Sequence, residues 1–183
     1  GRHDFETRVS TFELLAALEL HPAADAAAAS AQLAQRRLAC IGVDKLLPGL
    51  DPLLALRLRM GVRASGHTMA KLIDPCRGRS VRVVAVTHPE YLERMDEFLR
   101  ADGGRAMLMR GTEGEIYANP RRCPEMKVYV DGGASIGVPA EEGGAPPLAG
   151  LPDAPSVAEN AALIRSILAG AVPVPEPVLK QVA

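Results

Sequence analysis

The sequence predicts an α/β protein with a mostly parallel sheet flanked by helices. Three observations carry this. Ser80 to Val86 (SVRVVAV) is a β-branched, strand-like run, an amphipathic helical stretch follows it at once, and Arg105 to Met109 restores the strand pattern after Gly103-Gly104. Strand, helix, strand with turns this short reads as a parallel pair joined by a right-handed crossover.

The other elements are justified one at a time. Ser10-Thr-Phe-Glu13 is a capping-box pattern ahead of Leu14, Leu15 and Leu18, which predicts a helix start. The Ala-rich stretch from Ala23 to Arg37 predicts a second helix ending in a basic pair. Leu38 to Val43 (LACIGV) is an unbroken apolar run, which suits a strand buried on both faces. Asp51-Pro52 reads as the N-cap and first residue of a helix through LLALRLRM that stops at Gly61. Ser65 caps a shorter helix that must end by Asp74-Pro75.

In the second half, Thr87-His-Pro-Glu90 forms another capping-box pattern. The helix it opens carries Leu92, Met95, Phe98 and Leu99 on one face. After the Arg105 strand come a Gly-broken loop, Arg110 to Glu125, and a further strand, Met126 to Val130. Gly132 to Pro155 holds 6 Gly and 5 Pro in 24 residues and no Lys or Arg, so it reads as a flexible excursion. Ser156-Val-Ala-Glu159 caps an amphipathic helix with Leu163, Ile164, Ile167 and Leu168, ended at Gly170. The closing PVPEPVLKQVA reads as the opening of one more helix. With no initiator Met at the other end, the whole reads as a fragment of a longer protein.

Composition narrows the class. At 183 residues and 48% apolar, with both charge signs present, the chain has the make-up of one globular domain rather than a disordered segment. No apolar run approaches the ~18 to 20 residues needed to span a bilayer, and GRHDFETRVS has no signal-peptide core, so no membrane partner is expected. Cys40, Cys76 and Cys123 are odd in number and widely spaced. They make neither a disulfide framework nor a zinc pattern, which places the chain in a reducing cytoplasm.

Charge is the strongest functional signal. Arg57, Arg59, Arg63 and Lys71 fall within fifteen residues of a chain whose net charge is only -1. Between Asp51 and Thr87 there are seven Lys/Arg, Arg77, Arg79 and Arg82 included, against two Asp. That stretch carries +5, so the remainder carries -6. Such segregation attracts phosphates, although a solvated helix face has the same signature. Arg57 and Arg59 lie about 200° apart around a helix, so one of the two points away from any shared surface. Aromatic platforms for stacking bases are scarce, with His67 the one candidate nearby. Nucleic acid, single- or double-stranded, would then bind mainly through its phosphates, with little sequence preference. Glu113-Gly114-Glu115, in the loop, offers two carboxylates for a magnesium ion near a diphosphate, or two plain surface residues. No Walker loop, G-x-G-x-x-G or Ser/His/Asp arrangement is present.

Met60-Gly61-Val62-Arg63, followed by Ala64-Ser-Gly-His67-Thr-Met-Ala70-Lys71-Leu-Ile-Asp74-Pro75, resembles the anthranilate phosphoribosyltransferase family (glycosyltransferase family 3). There L-G-x-R precedes T-x-F-N-x-L-G-P-L-x-N-P. The likeness continues through the His88-Pro89-Glu90 helix, the Arg110-Gly111-Thr-Glu113-Gly114 loop and Asn160 to Gly170, and covers nearly the whole chain. Within that family the wording is closest to a DNA-binding branch, the YbiB type. The resemblance implies the phosphoribosyltransferase-like large domain of the nucleoside phosphorylase/phosphoribosyltransferase fold, here as a fragment. Residues 1–131 would be an α/β core lacking a helical domain and the first strands. Residues 132–155 would be a Gly/Pro-rich loop, and 156–183 a truncated C-terminal helical segment of the same domain. It also implies a homodimer formed through the missing helical domain.

The departures from the family pattern bear on function. The enzymes' G-S-A-D is matched by Ser10, Thr11, Phe12 and Glu13, and a His-His-Pro by Leu46-Leu47-Pro48. The acceptor-side Asn becomes His67, Gly-Pro becomes Ala70-Lys71, and the D-G-L-D-E loop is shortened to Glu113-Gly114-Glu115. The expectation is therefore a non-catalytic, largely sequence-independent DNA-binding protein without a cofactor. Arg57, Arg59, Arg63 and Lys71 would neutralise phosphates. The alternative is an active glycosyltransferase using phosphoribosyl diphosphate and magnesium. In it Thr11, Glu113 and Glu115 would lie on the metal side, and Arg57 would face the acceptor.

Overall fold

The structure is a computed structural model that describes residues 9–62, 65–111, 115–145, 148 and 156–183. In order these form α1 (Thr11–Ala17), α2 (Ala26–Arg36), α3 (Val43–Leu46), α4 (Asp51–Ala55), α5 (Arg57–Met60), α6 (Ser65–Ala70), β1 (Arg82–Val86) and α7 (Pro89–Asp102). They continue with β2 (Ala106–Arg110), β3 (Met126–Val130), β4 (Gly133–Val138), α8 (Val157–Leu168) and α9 (Glu176–Val182). The chain divides into two compact units. The first takes Gly1–Ala70 and Gly150–Pro173, the second Lys71–Ala149 and Val174–Ala183. Among the described residues no helix is long and apolar enough to cross a membrane.

The first unit is helical. Ser10 caps α1 in a complete capping box. Its side chain accepts the Glu13 N–H, while the Glu13 carboxylate accepts the Ser10 N–H at 2.8 Å. The Ser10 hydroxyl also donates to that carboxylate at 2.6 Å, and this bond first, then the Ser10 N–H, holds the exposed Glu13 carboxyl below its ordinary range. Asp25 caps α2, which ends at Arg37 in the left-handed region, and Ser156 caps α8. The strand expected at 38–43 is absent. Ile41 makes a single parallel bridge to Ala23, and Gly42 then opens α3. A strand needs a neighbour along its length to pair its main chain. Among the described residues that bridge is all the pairing this run has. The helix expected from Asp51 to Gly61 is two short helices broken at Leu56, and its cap is Leu50 rather than Asp51.

The second unit holds a four-stranded mixed sheet in the order β1-β2-β3-β4. β1 and β2 are parallel, with Val84 opposite Leu108, and α7 connects them as the short turns implied. β2–β3 and β3–β4 are antiparallel, so the sheet is not mostly parallel. Part of the stretch expected to be a flexible excursion is β4, joined to β3 by a two-residue turn. Asp131 (φ 50) and Gly132 (φ 81) both take positive φ there, the conformation that suits a tight hairpin. Alternation along the strands sends Val84, Val86, Leu108 and Tyr129 toward Met95 and Leu99 of α7. Ala85, Met109 and Met126 point the other way, onto Ala118 and Cys123. Phe98, expected on the apolar face of α7, is 40% exposed. The Thr87 capping box is not formed either. His88 is the N-cap, without a side-chain bond, and Pro89 starts the helix.

Candidate nucleic-acid interface

The basic stretch begins in the first unit. α4 and α6 approach closely at Gly66, where a Cβ would lie 3.6 Å from Leu54 Cδ2. Between them α5 is a single turn closed by Gly61, whose φ of 70° only glycine adopts cheaply. Arg59 is exposed on that turn. Arg57, on another side of it, is half-buried with Nε shut off from solvent. His67 in α6 is also half-buried, its Nδ1 closed to solvent, so it presents little ring to stack on. Arg63 lies outside the described residues.

In the second unit Lys71 is half-buried, and its ammonium donates to the Ala85 carbonyl at 2.6 Å. The geometry explains why. The Val86 carbonyl accepts the Gly111 N–H on the β2 side, so the preceding carbonyl faces the opposite edge of β1. Lys71 satisfies that edge group, which makes it a structural tie more than an open phosphate contact. Three residues on, Asp74 organises a turn. It accepts the Cys76 N–H at 2.9 Å and the Ser80 hydroxyl, and the Ser80 bond leads in holding its carboxyl below the usual range. The turn presents Arg77 and Arg79, both exposed. Among the described residues no carboxylate or hydrogen bond engages Arg59, Arg77 or Arg79. Arg82, by contrast, is paired with Asp102 and donates to the Leu72 carbonyl at 3.2 Å. Charge alone does not distinguish Arg77 and Arg79 from the rest of the basic stretch. The Asp-Pro…Gly turn pattern was the signal that would have exposed them.

A cleft of about 970 Å³ opens beside α7 and the ends of β2 and β3. Its charges are mixed and lean acidic: Glu93, Asp96, Glu97, Glu125 and Glu141 against Arg110, Arg122 and Lys127. Asp96 accepts from the buried Tyr129 hydroxyl at 2.6 Å, from Arg100 at 2.8 Å and from Lys127 at 3.4 Å. Chiefly through the Arg100 bond, then that of Tyr129, its carboxyl is lowered to about 2. Burial, then the bond to Asp96, pushes the Tyr129 phenol well up. This cleft is a poor match for a polyanion.

The positions named for a metal fall in different parts of the chain. Thr11 is exposed at the start of α1 in the first unit, and Glu115 is exposed in the second. Glu113 lies outside the described residues. Among those residues no group of three or more His, Cys, Asp or Glu side chains is placed to hold a metal.

No family model matches the chain. It is, however, 38% identical over 184 residues to the Escherichia coli (strain K12) protein named "Uncharacterized protein YbiB". The two are homologous. The match takes in 100% of this chain and 57% of YbiB, so the chain spans a little over half the length of that relative. That name assigns YbiB no activity.

Proposed function

We propose that the chain is the phosphate-contacting part of a non-catalytic, largely sequence-independent nucleic-acid-binding protein. One observation carries the reading. Within the stretch of net +5, Arg59, Arg77 and Arg79 are exposed and no carboxylate among the described residues neutralises them. Unneutralised surface arginines gain most from a phosphate, because no existing pair has to be broken. Arg57, Arg63 and Lys71 belong to the same proposal, Arg57 and Lys71 as half-buried supports. The likeness to anthranilate phosphoribosyltransferases supports it through the eroded acceptor positions at Leu46-Leu47-Pro48, His67 and Ala70-Lys71. It also adds a homodimer to the proposal, and the cysteine pattern adds a cytoplasmic setting.

The test is competition. A labelled oligonucleotide bound to the chain should be displaced equally by unlabelled strands of unrelated sequence, without magnesium. Displacement by one sequence alone would contradict sequence-independent binding. Failure to bind any strand at low salt would remove the proposal. It would turn attention to magnesium-dependent binding of phosphoribosyl diphosphate.

A further inference from the structure

One wall of the cleft in the second unit is lined by Asn119 and Arg122 to Glu125, part of a segment, 115–125, that has no helix or strand of its own. Its order comes from side chains elsewhere. Ala118 is fully buried, and its N–H donates to Gln181 Oε1 at 2.7 Å, while Gln181 Nε2 donates to the Ile116 carbonyl at 2.6 Å. One side-chain amide thus satisfies a main-chain donor and an acceptor two residues apart, as a neighbouring strand would. Lys180, the preceding residue of α9, bridges Glu141 at 2.8 Å and Glu176 at 3.0 Å. The far end of the wall has tethers that do not involve α9: Arg122 donates to the Gly143 carbonyl at 2.8 Å and Arg121 to that of Ala145.

We propose that α9 is a latch on this wall, with Gln181 as the positioning residue that holds residues 115–119 closed. The helix is suited to release. Pro177 is its buried residue, whereas Leu179 and Val182 are 48% and 76% exposed, so polar contacts rather than apolar burial hold it. Segments held in this way open at low local cost. When Gln181 lets go, the buried Ala118 N–H loses its partner and the near half of the wall moves, carrying Asn119 away from the cleft. Arg121 and Arg122 keep the far half in place. The latch sets the width of the cleft whatever the basic stretch binds.

Peptide-resolved hydrogen exchange on the whole chain tests it. Gln181→Ala speeds exchange over 116–119 by about tenfold, while 121–125 and β1 to β3 keep wild-type rates. Cys123, in the far half, keeps its wild-type rate of alkylation by iodoacetamide. Gln181→Glu retains an acceptor for the Ala118 N–H and faces Ile116 with a second acceptor, so its effect at 116–119 is intermediate. It also serves if the alanine variant folds poorly. Unchanged exchange at 116–119 in both variants overturns the proposal. So does a rise spread evenly through 121–125 and the sheet, which would make α9 a general support rather than a latch.

Discussion

Cations in two regions of this molecule meet different fates. Around α7, Arg100 and Lys127 share Asp96, and Arg82 meets Asp102. In the basic stretch, Arg59, Arg77 and Arg79 stand exposed, with no such partner among the described residues. Within the first set Asp96 also accepts the hydroxyl of the buried Tyr129, which ties that carboxylate to the core. The second set stabilises little, because exposed charges in water contribute on the order of 1 kcal/mol or less even when paired. The comparison separates charge that the fold has already engaged from charge left open to solvent, which charge density alone does not do.

The largest expected effect lies in the core that carries the paired set. Leu99→Ala, at a residue 1% exposed, should cost ~2–5 kcal/mol in chemical denaturation. Next is Gly111, where a Cβ would lie 2.7 Å from Ala85 Cβ and closer still to the Glu115 carbonyl. Gly111→Ala should cost about 1–3 kcal/mol, and a neutral result would mean that the loop backbone does not press on β1.

Acid sharpens the contrast further. Asp96 is lowered to about 2 in the folded chain from an ordinary 3.8, so its contribution is full above pH ~4 and disappears as pH falls toward 2. Stability should drop by on the order of 1–2 kcal/mol across that window. In Asp96→Asn that part of the acid dependence should be missing. The smallest effect on the fold belongs to the free set. Arg59→Ala, Arg77→Ala and Arg79→Ala should each stay within about 0.5 kcal/mol of wild type, and a loss of ~2 kcal/mol in any of them would show that it is paired after all.

What could be read from sequence was local. The capping box at Ser10 and the N-cap bond at Ser156 are hydrogen bonds among near neighbours, and β1–α7–β2 is visible as a change of period with Gly103 marking the helix end. The run at 38–43 misled because apolar continuity does not supply a strand with a neighbour. The β3–β4 hairpin was hidden by reading composition over 132–155 in place of the Asp131-Gly132 turn at its start. Nothing local marks the break at Leu56. For the site, the +5 stretch was legible, but which cations stay free was not. Lys71 is claimed by a carbonyl fourteen residues away and Arg82 by a carboxylate twenty residues away, partners that folding alone brings near.

The measurement that bears most directly on the central claim is fluorescence anisotropy of a labelled oligonucleotide titrated with the chain across several salt concentrations. Wild type would be compared with the combined Arg59→Ala, Arg77→Ala, Arg79→Ala variant. Three lost phosphate contacts should flatten the log–log salt slope by roughly 2 to 3 and weaken binding to all sequences alike, with the fold intact. An unchanged slope and affinity in a folded variant would contradict the account, because the free arginines would then not be where phosphates bind.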